Sequence, residues 1–315
     1  MLQLVPKWLK SPVYGLVRIC VWARLNWCPL KNESAEWWAG VAKRYPAIFD
    51  GETFAEWQTV EDGLTMNLGV VDHIERHLRT EGIWDRPVSD VLRAVLKPGS
   101  QFLDIGANIG YFTLMGSKLV GDDGLVVAIE PSTRALRKLT ANLHRNRCGN
   151  VLLLSLGAGV TPERVRLTLA TENNIGGSAI LANGSTGAYE HIPVVPLGPL
   201  LRQLDVSPDL IKIDVEGFEL FALRGVFADS DFRPAVVCEV TSEFLARNGQ
   251  STTELFQFMK ELGYTPYRLV SQAGKTRLEE LPVSEELNQE SQFDALFLHE
   301  SQSPPLPILT EEKVA

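Results

Sequence analysis

From residue 101 onward, short apolar runs alternate with stretches of helical periodicity, the pattern of β-α-β units that build a parallel sheet. The first run, 101–105, passes through a glycine turn into a helix predicted to about Leu119. The second, 125–129, precedes a helix that starts at Ser132 and carries Arg134, Arg137, Lys138 and Arg145. The third, 151–156, is nearly all aliphatic, as expected of a strand buried on both faces. The fourth, 210–214, enters a helix over 216–224, and the fifth, 235–240, is followed by a helix over 253–262. Runs at 267–270 and 295–298 close the sheet across an acidic loop. Segments 164–170 and 191–197 flank a polar, glycine-rich stretch (173–187), which predicts a hairpin-like insertion.

Upstream, residues 52–94 read as helical cover, and the texture changes at Lys97-Pro98-Gly99. The last residues, with Pro304, Pro305 and Pro307, predict a disordered tail. The chain thus divides into an arm (1–50), a cover (51–94), a main domain (95–298) and a tail (299–315). Its predicted fold is a doubly wound, Rossmann-like α/β sheet with N-terminal helical additions, which binds ligands at the carboxyl ends of its strands.

Composition narrows the function. The 315 residues carry a formal net charge of −9, which argues against a nucleic-acid partner, since phosphates call for basic surface. Cys20, Cys28, Cys148 and Cys238 are widely spread, with no metal-ligand spacing, as in a reduced cytoplasmic protein. No run of about 18 apolar residues is present to span a membrane. Residues 1–31 nevertheless hold Lys7, Lys10, Arg18, Arg24 and Lys31 with no acid, and all 7 tryptophans precede residue 85. Such an arm suits peripheral contact with the inner membrane face. Packing on its own domain, or on a second subunit in a homodimer, is the first expectation, since amphipathic segments usually serve cores. His73 and His77 stand i, i+4 on a predicted helix without a third ligand at a telling interval, so no metal site is assigned to them.

The segment Asp104-Ile105-Gly106-Ala107-Asn108-Ile109-Gly110 ends a strand and opens a helix. Gly106 and Gly110 permit a sharp turn and a close ligand approach. Glu130 follows about 20 residues later, where an acid can accept from both ribose hydroxyls. A dinucleotide fits poorly: Asn108 replaces the middle glycine of G-x-G-x-x-G, and Asp104 would repel a pyrophosphate. S-adenosylmethionine (SAM), with a sulfonium and an ammonium, suits two acids. The bare structural alternative is that the glycines serve helix–strand packing and Asp104 caps the helix.

A second constellation, Asp214-Val215-Glu216-Gly217-Phe218-Glu219, brings three carboxylates to the end of another strand, with Glu239 ending the next. Helix-dipole preference accounts for Glu219 and in part for Glu216, but not for Asp214.

The stretches D-I-G-A-N-I-G-Y-F-T (104–113), I-E-P (129–131), L-T-A-N-L-H-R-N (139–146) and D-L-I-K-I-D-V-E-G-F-E (209–219) resemble the FkbM family of SAM-dependent methyltransferases over roughly residues 60–245. The resemblance implies a class I methyltransferase fold and, most often, O-methylation of a hydroxyl on a sugar, glycan, glycolipid or polyketide-like product. N-methylation and a non-catalytic SAM-fold interaction protein are the alternatives. Asp104, Gly106, Ala107, Asn108 and Gly110 are expected around the methionine moiety, Glu130 on the ribose, and Pro131 and Ser132 beside the adenine. Ala158 either lets the adenine lie close or belongs to the core. Residues 173–178 offer amides and a hydroxyl to a pocket rim, or form an ordinary turn. Asp214 is the first choice for general base, then Glu216 and Glu239. A divalent cation (magnesium) held by these carboxylates is the less favoured variant.

Overall fold

The computed structural model of the chain describes residues 55–70, 72–169, 177–180 and 188–309. The basic arm, and the part of the polar loop at 173–176, lie outside the described residues. The chain falls into two compact units, one ending at Ile83 and the other beginning at Trp84.

The first unit corrects the expectation of purely helical cover. Strands β1 (Glu56–Thr59) and β2 (Thr65–Leu68) pair antiparallel, with Glu56 opposite Leu68. Their connection holds Asp62 and Gly63 at φ of 59° and 71°. An Asp-Gly pair between alternating segments is a strong hairpin signal, because both residues tolerate the left-handed region. Helix α1 (His73–Glu81) follows, with the Asp72 side chain accepting from the Glu75 amide at 3.0 Å and Gly82 ending it at φ 74°. Arg79 on its last turn donates to the Leu68 carbonyl at 2.8 Å and so ties helix to hairpin.

The second unit opens with α2 (Arg86–Val95), so the expected cover is divided between the units. Then come β3 (Gln101–Ile105), α3 (Tyr111–Val120), β4 (Leu125–Ile129), α4 (Thr133–Asn146) and β5 (Val151–Leu154). The insertion supplies β6 (Gly157–Ala158), β7 (Glu163–Thr168), β8 (Ala179–Ile180) and β9 (Tyr189–Val195). After α5 (Leu197–Gln203) the chain forms β10 (Leu210–Ile213), α6 (Glu219–Phe227), β11 (Ala235–Val240), α7 (Ser242–Arg247) and α8 (Thr252–Glu261). It closes with β12 (Tyr264–Gln272), β13 (Lys275–Glu280) and β14 (Phe293–His299).

The main sheet runs β13-β12-β14-β11-β10-β3-β4-β5, while β6-β9-β7-β8 form a separate small sheet, the expected hairpin enlarged. Strands β11, β10, β3, β4 and β5 are mutually parallel and β14 runs against them. Strand order reverses between β3 and β10, which creates the crevice at the switch point.

Three details depart from the sequence expectation. Strand β5 is half-buried along its length, because it is the outermost strand and has a neighbour on one side only. The acidic loop before β14 contains β13, reached through Ala273 and Gly274 at φ of 49° and 73°. The tail is ordered over 301–309: Ile308 bridges to Leu278, with the Leu278 amide on the Pro307 carbonyl at 2.9 Å. Prolines do not exclude this, since Pro307 contributes only its carbonyl.

The two faces of the main sheet differ. Leu103, Ile105, Val127, Ile129, Ile211 and Ile213 point to one face and join α5, α6 and α8 in a continuous apolar core. The alternate positions form the other face. Near the amino ends of the strands it is apolar (Phe102, Val126, Leu210), with Gly116 of α3 so close to Phe102 that a Cβ would come within 2.4 Å. Toward the carboxyl ends it turns polar: Asp104, Glu130, Lys212, Asp214, Glu239 and Asp294.

Candidate active site

The glycine turn is built by its neighbours. The Gly106 and Ala107 amides both donate to the Ile129 carbonyl, at 2.9 and 3.0 Å, which staples the end of β3 to the end of β4. A Cβ on Gly106 would sit 1.8 Å from the Asp214 carbonyl, and one on Gly110 2.3 Å from Leu139. Both glycines have positive φ. Their first duty is therefore internal packing, as the bare structural alternative anticipated. Asp104 does not cap α3, whose N-cap is Gly110.

Glu130 binds the turn from the other side. One carboxylate oxygen accepts from the Asn108 amide and the other from the Ser132 amide, both at 2.8 Å. Burial pushes its carboxyl up to about 7, against the pull of those two amides. Sequence reasoning missed Asn142, whose side chain donates to the Ile109 carbonyl at 2.8 Å and locks the turn to α4. The signal was present: Leu139 and Asn142 stand i, i+3 on one helix face, one packing on Gly110 and the other bonding Ile109.

Asp104 is fully buried and accepts from the Thr113 hydroxyl through one oxygen at 2.5 Å. Its other oxygen, the Asn108 side-chain carbonyl and the Ser132 hydroxyl have no hydrogen-bond partner among the described residues. Buried polar atoms without partners cost stability, so three of them around one turn mark a ligand cradle. Two are acceptors, as an ammonium requires, and Glu130 keeps lone pairs for ribose hydroxyls. The donor set fits SAM, with Asp104, Asn108, Glu130 and Ser132 as the residues that would hold it. Pro131 is half-buried beside Ser132, whereas Ala158 is buried in the apolar core and pairs with Val195. Ala158 is thus accounted for as core.

The second constellation lies across the switch point. The Asp214 amide donates to the Ile105 carbonyl at 3.0 Å, and its carboxylate meets the Lys212 ammonium at 3.1 Å. The Asp214 side chain is 32% exposed, against 7% for Lys212, so the carboxylate can be reached from the crevice. Glu216 sits at φ 54° and Gly217 at φ 95°, where a Cβ would come 2.4 Å from the Phe244 carbonyl. Burial, Asp214 and Glu219 together push Glu216 up to about 8.

Glu219 is a structural acid: one oxygen accepts from the Val215 and Gly217 amides at 3.2 and 3.0 Å and shapes the turn. Glu239 accepts from Gln292 at 2.7 Å. The Asp214 charge, burial and Asp294 push it up to about 10, further than Glu216. Lys212, Asp85 and Asp294 were not foreseen. Asp85 caps α2 in a left-handed conformation, and Asp294 is raised by burial, Asp85 and Asp214. A lone Lys inside an aliphatic strand and an Asp in a closing strand were the available signals. Among the described residues, no group of three or more His, Cys, Asp or Glu is arranged to hold a metal ion. No described helix is long and apolar enough to cross a membrane.

Several solved structures are similar, all distantly. Precorrin-6y C5,15-methyltransferase from Geobacter metallireducens is 15% identical, with a TM-score of 0.38 over 69% of this chain and 90% of that one. A SAM-dependent methyltransferase from Aquifex aeolicus is 16% identical, at 0.37 over 67% and 88%. An O-methyltransferase from Bacillus cereus in complex with S-adenosylhomocysteine (SAH) is 10% identical, at 0.39 over 69% and 82%. No curated protein sequence matches. The family model of the methyltransferase FkbM domain matches residues 104–266, just over half of the 315 residues. That span takes in the cradle at Asp104 and Glu130 and the carboxylates at Asp214 and Glu216: the protein belongs to the FkbM methyltransferase domain family and is a SAM-dependent methyltransferase.

Proposed function

We propose that the chain methylates a hydroxyl oxygen of a sugar, glycan, glycolipid or polyketide-like acceptor, with Asp214 as general base. SAM, when bound, supplies a methyl group on a sulfonium whose transfer leaves a neutral thioether. The observation that carries the reading is the position of Asp214, one strand from Asp104 and held by Lys212 at 3.1 Å with its carboxylate reachable. A hydroxyl is a poor nucleophile until its proton leaves, and a fixed carboxylate within reach takes that proton. Glu216, at about 8, is poised to accept a proton near neutral pH and is the second choice.

The acid-rich setting also bears on the alternative acceptor. Carboxylates hold an amine as ammonium, which has no lone pair to attack with, whereas they accept hydrogen bonds from hydroxyls without loss of reactivity. The test is SAH formation by the full chain against a panel of hydroxyl and amine acceptors, with Asp214→Asn alongside. A hydroxyl substrate whose turnover collapses in the variant, while SAM affinity is kept, supports the reading. Turnover confined to amines and indifferent to Asp214 overturns it.

A further inference from the structure

Lys212 is the one lysine in the apolar run of β10, and the sheet register places it directly beside Asp104 on β3. It is 6% exposed. Its ammonium touches Asp214 at 3.1 Å and lies 5.2 Å from the centroid of the Phe112 ring on α3, which covers it. Asp85 at the start of α2, Glu239 on β11 and Asp294 on β14 belong to its electrostatic surroundings. Burial alone would strip its proton, but Asp214 and Asp104 outweigh burial and hold the ammonium above its usual range. Among the described carboxylates, Asp214 alone touches this buried cation, and Asp104, Asp85, Glu130, Glu216, Glu239 and Asp294 act on it at longer range. Asp104 belongs to the donor cradle and Asp214 to the acceptor side, so the lysine stands at their junction.

We propose that Lys212 is a positioning residue shared by the two halves of the site: it holds Asp214 for the acceptor, and its fixed charge, one strand from Asp104, weighs against the cationic donor relative to the product. The proposal rests on the reading of Asp214 as base. When Asp214 takes the acceptor's proton, it loses its charge. In the same event the sulfonium loses its charge, while the donor's ammonium, the group suited to Asp104, is unchanged. The consequence is a balance of affinities: Lys212 disfavours the cationic donor relative to its neutral product, and so limits how strongly the site prefers SAM over SAH.

The test needs no acceptor. Calorimetric titration of the full chain with SAM and with SAH gives the ratio of their affinities. In Lys212→Met the ratio should move in favour of SAM by about tenfold, since removing a buried cation near the sulfonium is worth at least that at short range. Lys212→Arg should keep the wild-type ratio within about twofold, because the charge is retained. Asp104→Asn should move it the opposite way. A purely structural lysine would weaken both ligands together, and an unchanged ratio in Lys212→Met overturns the proposal. Should Lys212→Met not fold, Lys212→Gln is read in the same way; if neither folds, an unchanged ratio in Asp104→Asn overturns it. Failure of the O-methylation reading shows in the turnover of Asp214→Asn, and the affinity ratio stands apart from that result.

Discussion

The two faces of the main sheet obey different rules although the same strands make both. On one face the strand interiors from β3 to β11 are apolar and pack against α5, α6 and α8, so the side chains there are interchangeable within limits of volume. The opposite face begins apolar at Phe102 and Leu210 and ends in six ionisable groups within a few residues of the strand ends. Five of those groups have a named counterpart: Thr113 for Asp104, two amides for Glu130, Asp214 and Lys212 for each other, Gln292 for Glu239. The dry face supplies stability and the wet half of the other supplies chemistry. A parallel sheet accommodates both because its strand ends open at a switch point.

The comparison can be broken most severely on the dry face. Ile213→Asp places a charge in the core and should cost at least about 4 kcal/mol, enough to leave no cooperative thermal transition. One position on, Asp214→Asn should be milder than that, lowering the melting temperature without loss of the cooperative transition because Lys212 keeps Asp104 as a charged neighbour, while lowering kcat on a hydroxyl acceptor by about 10² or more. If Asp214→Asn unfolds the protein, the division between faces is false.

Glu130→Ala sharpens the wet side. It removes the acid that anchors the Asn108 and Ser132 amides, and SAM affinity in calorimetry should fall by about 10- to 100-fold, for the loss of charge-assisted hydrogen bonds. Asn142→Ala should be milder, with SAM binding a few-fold weaker and the protein about 1–2 kcal/mol less stable in urea, since the Ile109 carbonyl loses its donor. Protonation makes a graded version of the Glu130 test. With Glu130 at about 7, affinity for SAM should fall as pH drops through that value, if the ionised carboxylate is the form that accepts from the ribose.

Stability should respond to pH in the opposite sense. Glu130 and Glu219 are both raised from 4.5 to about 7, so between those values the folded chain keeps protons that the unfolded chain has released. Stability therefore declines as pH rises through that window, and Glu219→Gln should flatten the slope. The smallest effect expected concerns the arm: removing residues 1–31 should abolish co-sedimentation with anionic vesicles while SAM binding is untouched. Unchanged sedimentation, or none beforehand, would end the membrane reading.

The succession of the main-sheet strands along the chain and the glycine turn were legible because apolar runs at the right spacing and Asp104-x-Gly106 to Glu130 are local patterns. What local patterns cannot express is which side chain meets which across strands. Lys212 looked like part of an aliphatic run, and only the register beside Asp104 gives it a role. Asp294 and Asp85 lie far from Asp214 in the chain, so their effect on the carboxylates needed the folded sheet. The rise of Glu239 comes from Asp214 and Asp294, neighbours that the sequence does not place together. The hairpin at 56–68 was a different failure: Asp62-Gly63 was visible, and helical expectation outweighed it.

The bridge from Ile308 to Leu278 has a consequence for how copies of this chain meet. Strand β13 is the last strand on its side of the sheet, and an open strand there would offer its backbone to any passing chain. The tail occupies that position over a single residue pair, and the prolines at 304, 305 and 307 have no amide to continue a ladder. Residues 307–309 thus form a selvedge at one point of that border, where the amide and the carbonyl of Leu278 are both already bonded.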